Sequence, residues 1–400
     1  MENIVRETFN KIFQAKPDLM VTSPGRINLI GEHTDYNGGW VLPAAIDKKI
    51  TFALGRRTDL ICQFHSIDFN DTKTINLANF KSTTKSWVNY LLGVVEQFQN
   101  EKPLPHGFNL VFGGDVPLGA GLSSSAALEA GLAFAIDEMF RFGKPRMELV
   151  KLAQRAENEF VGVRCGIMDM FASAMGKEGS VMRLDCRSLE FEYFPFNFPD
   201  IKIVLCDSGV KHSLGDGEYN IRRAQCEEGV AILKKHYPAI STLRDVSFSM
   251  LEKHKAEIPP IVFKRCRYIV GEIARVEAAC LDLKQHDLVA FGKKMFETHK
   301  GLSEDYGVSC EELDFLTAMS YQLSALSLLG IAQSSKLIAH SCYGARMMGG
   351  GFGGCTINLV KTEAIPEFVD YMRKAYLEKF NLDLKTYVVT ISNGTQLVVR

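Results

Sequence analysis

An α+β fold is predicted by three features of this 400-residue chain: strand-like and helix-like stretches are interleaved, they keep no regular βαβ beat, and a strand-rich half gives way to a helix-rich half. The change falls near 195–215, so two lobes are expected, 1–205 and 206–400. About two domains also suit the length, which suffices for a large buried core.

In order along the chain, residues 3–14 carry apolar groups at helical spacing. Leu19 to Ile30 reads as strand, turn at Ser23-Pro24-Gly25, and strand again, and apolar stretches follow at Trp40–Ile46 and Ile50–Leu54. Trp87 to Phe98 is helical, and Gly107 to Phe112 alternates as a strand does. Ser125 to Phe140 is apolar nearly all round, the mark of a helix buried on every side. Met147 to Phe160 instead carries a single stripe of Leu149, Leu152, Ala153, Ala156 and Phe160. Strand patterns return at Ser180–Leu184 and Ile201–Cys206, helical ones dominate Glu218–Ser327, and the end reads strand (Thr356–Val360), helix (Phe368–Phe380), strand (Tyr387–Ile391) and strand (Gln396–Val399).

With 46 Lys plus Arg against 47 Asp plus Glu and no basic block, the chain has no electrostatic footprint for nucleic acid or an anionic membrane. Leu326–Ala332 is apolar but far below the roughly 20 residues that span a bilayer. The first residues show no basic region followed by a hydrophobic run, and the 10 cysteines are scattered singly without Cys-x-x-Cys, as in a reducing compartment. A cytoplasmic location is expected.

Three glycine-rich loops look like chemistry. In Ser23 to Gly39, Glu32, His33 and Asp35 offer acceptors and a switchable donor between glycines, which suits a polyhydroxylated ligand; a solvated polar turn would look similar. In Gly113 to Glu129 a Gly-x-Gly stretch feeds Ser123, Ser124 and Ser125 into the first turn of the all-apolar helix. Unpaired N–H groups and the positive dipole end make that an anion site, although one serine could serve only as a cap. The loop Met347 to Thr356 matches Gly-x-Gly-x-x-Gly at Gly349, Gly351 and Gly354, but it leads into a strand where a dinucleotide fingerprint must open a helix. It is either a cover for a phosphate site or a tight structural turn. Two acids complete the set: Asp169 among large apolar residues, and Glu157 beside the stripe of its helix. Each is either functional or a structural ion-pair member.

Together these segments resemble the galactokinases of the GHMP small-molecule kinase superfamily over essentially the whole chain. Pro24–Gly39 matches the galactokinase signature, Pro117–Ala127 the shared phosphate loop and Met348–Cys355 the third superfamily motif; Cys165-Gly166-Ile167-Met168-Asp169 is close to galactokinase-specific. The resemblance implies a two-lobed fold with the active site in the cleft, and ATP- and Mg2+-dependent phosphorylation of D-galactose at its anomeric hydroxyl. The sugar relatives N-acetylgalactosamine and L-arabinose are rival substrates, and a non-catalytic galactose sensor is the rival of another class. It further implies Asp169 and Arg26 as catalytic groups, and Arg26, Glu32, His33, Asp35, Gly166, Asp169 and Tyr219 around the sugar. Gly119, Ala120, Gly121, Leu122, Ser123, Ser124 and Ser125 would hold the nucleotide phosphates with Trp87 near adenine, and Ser125 and Glu157 would hold Mg2+. A monomer or weak oligomer without an obligate protein partner is expected. Departures from the family pattern are Met170 in place of glutamine, Gly217 near a usual serine, and a long Thr317–Tyr343 stretch read as an extended helix and an extra loop.

Overall fold

The structure, a computed structural model, describes residues 1–83, 86–117, 119–210, 215–324 and 340–399. The strands are β1 (Leu19–Asn28), β2 (Trp40–Val41), β3 (Pro43–Arg56), β4 (Ile61–Ser66), β5 (Asp71–Asn76), β6 (Phe108–Gly114), β7 (Ser180–Asp185), β8 (Phe191–Pro195), β9 (Ile201–Asp207), β10 (Cys342–Met347), β11 (Cys355–Lys361), β12 (Lys385–Val389) and β13 (Gln396–Val399). The helices are α1 (Glu2–Phe13), α2 (Val88–Glu101), α3 (Ser124–Phe140), α4 (Arg146–Arg155), α5 (Met168–Met175), α6 (Gly215–Lys234), α7 (Phe248–Lys253), α8 (Pro260–Lys284), α9 (Leu288–Lys300), α10 (Glu311–Gln322) and α11 (Ile365–Phe380).

Among these residues the strands form a six-stranded sheet in the order β13-β1-β3-β6-β4-β5, a four-stranded sheet β10-β11-β9-β12 and a small sheet β2-β7-β8. Only β4 and β6 pair in parallel; the other pairs are antiparallel, as an α+β chain without βαβ units requires. Helix α3 lies on β1 and β3 and is walled by α2, α4 and α5, so no face of it meets water; this is why its sequence has no polar stripe. It belongs to the main apolar core with Phe52, Phe64, Phe108 and Ile136, each of which buries about 1.5–3 kcal/mol worth of side chain. A second core packs α6, α7 and α8 around Leu233, Leu251, Phe263 and Ile269.

The structure departs from the sequence reading at several points. Ser23-Pro24-Gly25 is no turn: β1 runs through it, and a bulge between Pro24 and Arg26 shifts its register on β3 from Pro24↔Lys49 to Arg26↔Ala45. Pro24 has no N–H to give the ladder, so the strand bulges where a turn was expected. The Met147–Phe160 helix ends as α4 at Arg155 and continues as a wider π turn over Ala156–Val161. Strands β4, β5, β8 and β10 and helix α5 were not foreseen. Helix α10 stops at Gln322, short of the extension expected from the spacing of Met319, Leu323 and Leu326; Leu326 itself and most of the extra loop lie outside the described residues. The division at 205 cuts β9, all of whose partners, β11 and β12, follow it in sequence, while β13 returns to pair with β1 in the first sheet. No helix of the described residues is long and apolar enough to cross a membrane.

Candidate active site

The bulge in β1 decides where Arg26 points. Its backbone N–H leaves the β3 ladder and donates to the Leu122 carbonyl at 3.1 Å. Its guanidinium donates to both oxygens of Asp169, Nε to Oδ1 at 2.8 Å and Nη2 to Oδ2 at 2.9 Å, and to the Gly121 carbonyl at 2.5 Å. Such a fork onto a carboxylate is a charge-assisted pairing that fixes the orientation of both groups. Asp169 sits in the first turn of α5, and Ser173, one turn on, ties that helix to β1 by donating to the Pro24 carbonyl at 2.7 Å. Met170 points the other way, fully buried in the apolar cluster with Val150 and Phe171, so the expected loss of a polar neighbour leaves the Arg26–Asp169 pair whole.

Ser123 occupies the N-cap of α3, yet its hydroxyl caps nothing: it has left-handed backbone (φ 55°) and donates to Asp169 Oδ2 at 2.5 Å. The first N–H groups of α3 therefore keep no side-chain partner and face outward with the helix dipole. Leu122 and Ala120 are buried anchors of this loop rather than ligand groups with their side chains. Against it lies the Met347–Cys355 loop, where Gly349, Gly351, Gly353 and Gly354 all have positive φ, a path that L side chains rarely take. Gly119, Gly121, Met348 and Gly350–Gly354 enclose a hollow of about 240 Å³ at the start of α3. The literal dinucleotide match is thus a glycine loop folded against the start of α3.

Beside it a cavity of about 140 Å³ is lined by Arg26, Glu32, His33, Asp35, Glu157, Gly166, Asp169, Tyr219 and Gly350, among others. Every sugar-side residue expected from the sequence borders this one space. Gly166 is required there, because a Cβ would stand 1.8 Å from Asp35 Oδ2. Burial, and after it the charge of Asp169, pushes the Asp35 carboxyl up to about 7. His33 is 4% exposed and pushed down to about 4, chiefly by burial, so it is neutral; Nδ1 faces the Tyr36 hydroxyl at 2.8 Å, and that hydroxyl meets Tyr306 at 2.7 Å. Tyr219 stands 5.3 Å from the His33 ring, and Gly217 near it is open, with nothing within 4 Å of an added Cβ.

Glu32 does more than line the cavity. Oε1 accepts from the Gly349 N–H at 2.7 Å and from Arg346 at 3.1 Å, and Oε2 accepts from Asn28 at 3.1 Å. Arg346, fully buried, also donates to the carbonyls of Asn28, Leu29 and Met347. The first and third loops are thereby clamped together.

Glu157 lies in the π turn, a distortion often found at working sites. It is 7% exposed, and burial followed by the charge of Asp169 pushes it up to about 7, with a hydrogen bond from Ser125 among the opposing effects. Beneath it, one turn beyond Ser125 on α3, Glu129 is fully buried and accepts from no N–H or hydroxyl among the described residues; burial, then the charge of Glu157 and a hydrogen bond shared with it, drive its carboxyl well above the ordinary range. Sequence reasoning missed Glu129, although an acid set among apolar residues in the first turns of that helix was the signal. It missed Arg346, Tyr36 and Tyr306 as well, whose roles arise only from packing.

Trp87 caps α2 outside the cavity. Its Nε1 donates to Asp71 at 3.1 Å, its ring lies parallel to Phe69, and it lines a hollow of about 720 Å³ with Ser82, Tyr90 and Phe160 that adjoins the first cavity at Val163.

Comparison with known proteins adds the following. Residues 7–56 match the galactokinase galactose-binding signature, and residues 89–177 the N-terminal domain of GHMP kinases. The galactokinase of Roseiflexus sp. (strain RS-1) is 37% identical over 99% of this chain and 97% of its own length. That of Chloroflexus aggregans is 39% identical over 98% of this chain and 96% of its own. The crystal structure of Lactococcus lactis galactokinase complexed with galactose superposes with a TM-score of 0.91 at 32% identity, covering 98% of this chain and 99% of that one. Methanococcus jannaschii mevalonate kinase, at 18% identity and a TM-score of 0.63, shares the fold.

Proposed function

Because the chain belongs to the galactokinase family of GHMP kinases, whose reaction transfers a phosphoryl group from ATP to D-galactose, we propose that Asp169 and Arg26 carry that reaction in this protein. The observation that supports them most is the two-pronged Arg26–Asp169 pair, with Ser123 on the same carboxylate, at the junction of a small polar cavity and a helix N-terminus. In this reading the anomeric hydroxyl of galactose meets Asp169, which accepts or positions its proton, while Arg26 steadies the negative charge that spreads in the transition state. The product is α-D-galactose 1-phosphate.

His33, Asp35, Gly166 and Tyr219 hold the remaining sugar hydroxyls. Glu32, with three of about four lone-pair sites already used, has the least capacity left for one. Asp35 and neutral His33 are suited to choosing one epimer, since each is buried and loses a partner when a hydroxyl points elsewhere. The nucleotide phosphates lie on the N–H groups of Gly119–Ser125 beneath the third loop, and adenine lies in the hollow of Trp87.

Ser125 and Glu157 fit Mg2+: both are hard oxygen donors, and Glu157 lies buried among the acids Glu129 and Asp169, whose charge and burial push its carboxyl up, a place that a cation would relieve. When bound, the ion neutralises charge on the phosphates. The lobes divide around β9, with β13 handed back to the first, and the cleft lies between them. Ten free thiols support a reducing compartment, the cytoplasm.

ADP release from Mg·ATP tests the reading with galactose, N-acetylgalactosamine, arabinose, glucose or no sugar. Galactose is expected to turn over fastest, and Asp169→Asn to lower kcat by roughly 10²–10⁴-fold. Retention of more than a tenth of the rate in Asp169→Asn would remove Asp169 from the catalytic role.

A further inference from the structure

Outside the cleft, three side chains from different elements converge on one point. His236 follows the C-terminal end of α6, His254 closes α7, and Glu257 lies in the turn that leads to α8. One nitrogen from each histidine and one carboxylate oxygen fall within 4.8 Å of one another. His236 Nε2 is 2.7 Å from Glu257 Oε2, and His254 Nδ1 is 2.8 Å from Oε1. The two imidazoles stack at 3.9 Å with 22° between their planes, which turns both nitrogens toward the same carboxylate.

We propose that His236, His254 and Glu257 form a binding site for a divalent transition-metal ion of the Zn2+ type, separate from the kinase cleft. Two imidazoles and one carboxylate are the donor set that such ions favour and that Mg2+ does not. The other nitrogen of His254 already has an orienting partner, the Tyr237 hydroxyl at 3.3 Å, and metal-bound histidines almost always have one. The backbone is set too: Glu257 N–H donates to the His254 carbonyl at 2.9 Å, and His236 N–H to the Leu233 carbonyl at 3.0 Å. On binding, a neutral ring moves its proton from the ligating nitrogen to its other nitrogen through solvent. In His254 that nitrogen then donates to Tyr237.

Calorimetric titration of the nucleotide-free chain with ZnCl2, and with CoCl2 followed by its visible absorption, tests the site. One ion per chain is expected, with cobalt bands of low coordination number and a rise in Tm. His236→Ala and Glu257→Gln are expected to weaken binding at least tenfold, and Tyr237→Phe by about tenfold. All three keep wild-type galactose phosphorylation, which also shows them folded, while Glu157→Gln binds Zn2+ as the wild type does. The proposal is overturned if His236→Ala and Glu257→Gln bind Zn2+ as tightly as the wild type, if Glu157→Gln abolishes binding, or if the wild type takes up no ion.

Discussion

Asp35 is an acid in a place that resists its charge, and its consequences separate by pH. Burial and Asp169 raise it from 3.8 to about 7 in the folded chain. The folded state thus holds a proton that the unfolded state gives up, so stability tied to Asp35 is complete below about pH 4 and is lost as the pH rises through 7. Asp35→Asn, which carries no charge, is expected to melt higher than the wild type at pH 8. The gap should close near pH 4, as melting curves across that range will read. The same ionisation serves the sugar, since the carboxylate offers both oxygens as strong acceptors to hydroxyls whereas the protonated group turns one of them into a donor. The kcat/KM of the wild type is accordingly expected to fall as the pH drops below about 7, and Asp35→Asn to lose that limb along with most of its galactose affinity. A flat wild-type profile would exclude the role. Stability given up at a binding residue is a common exchange.

Among the elements, the start of α3 is informative because a capping residue does not cap. Replacing an ordinary N-cap serine with alanine costs about 1 kcal/mol of stability. Ser123 donates to Asp169 instead, so Ser123→Ala should change stability by well under that amount while kcat falls about tenfold, the scale of one hydrogen bond to a charged group. Urea unfolding alongside turnover will separate the two; a full capping loss with unchanged kcat would contradict the geometry. The bulge in β1 and the π turn after α4 act in the same direction. Each breaks a regular ladder to aim one side chain, Arg26 or Glu157, into the small polar cavity.

For the molecule as a whole, Arg346 and Glu32 join chain segments 314 residues apart, and both are buried. Removing one member of such a pair leaves the other charge without compensation, at a cost of roughly 3–5 kcal/mol. Glu32→Gln is expected to show that loss in denaturant unfolding, and to loosen the glycine cover so that the KM for ATP rises as well. A variant as stable as the wild type would mean that the clamp contributes nothing. The C-terminal strand binds the molecule from another side: Thr395 meets Ser23 on β1 and Ser173 on α5, the helix that carries Asp169.

The family resemblance added Arg26, Gly166 and Tyr219 to the residues that line the small polar cavity; by itself the sequence determined the α+β class, most elements to within a few residues, the three loops, and the polar residues Glu32, His33, Asp35 and Asp169. These were legible because periodicity, glycine punctuation and acids in apolar context are local properties. The missed strands β5, β8 and β10 lie at sheet edges, where alternation is weak, whereas β4 lies inside its sheet and does alternate in burial, a signal that was present in the sequence. Only the tertiary structure decided that Arg26 grips Asp169 across 143 positions, that Ser123 serves an acid in place of its own helix, and that Glu129 lies hidden behind Glu157. Hydrogen bonds and desolvation act over a few ångströms of space, and which distant residues come within that reach is set by how helices pack on sheets, a property that no window of sequence contains.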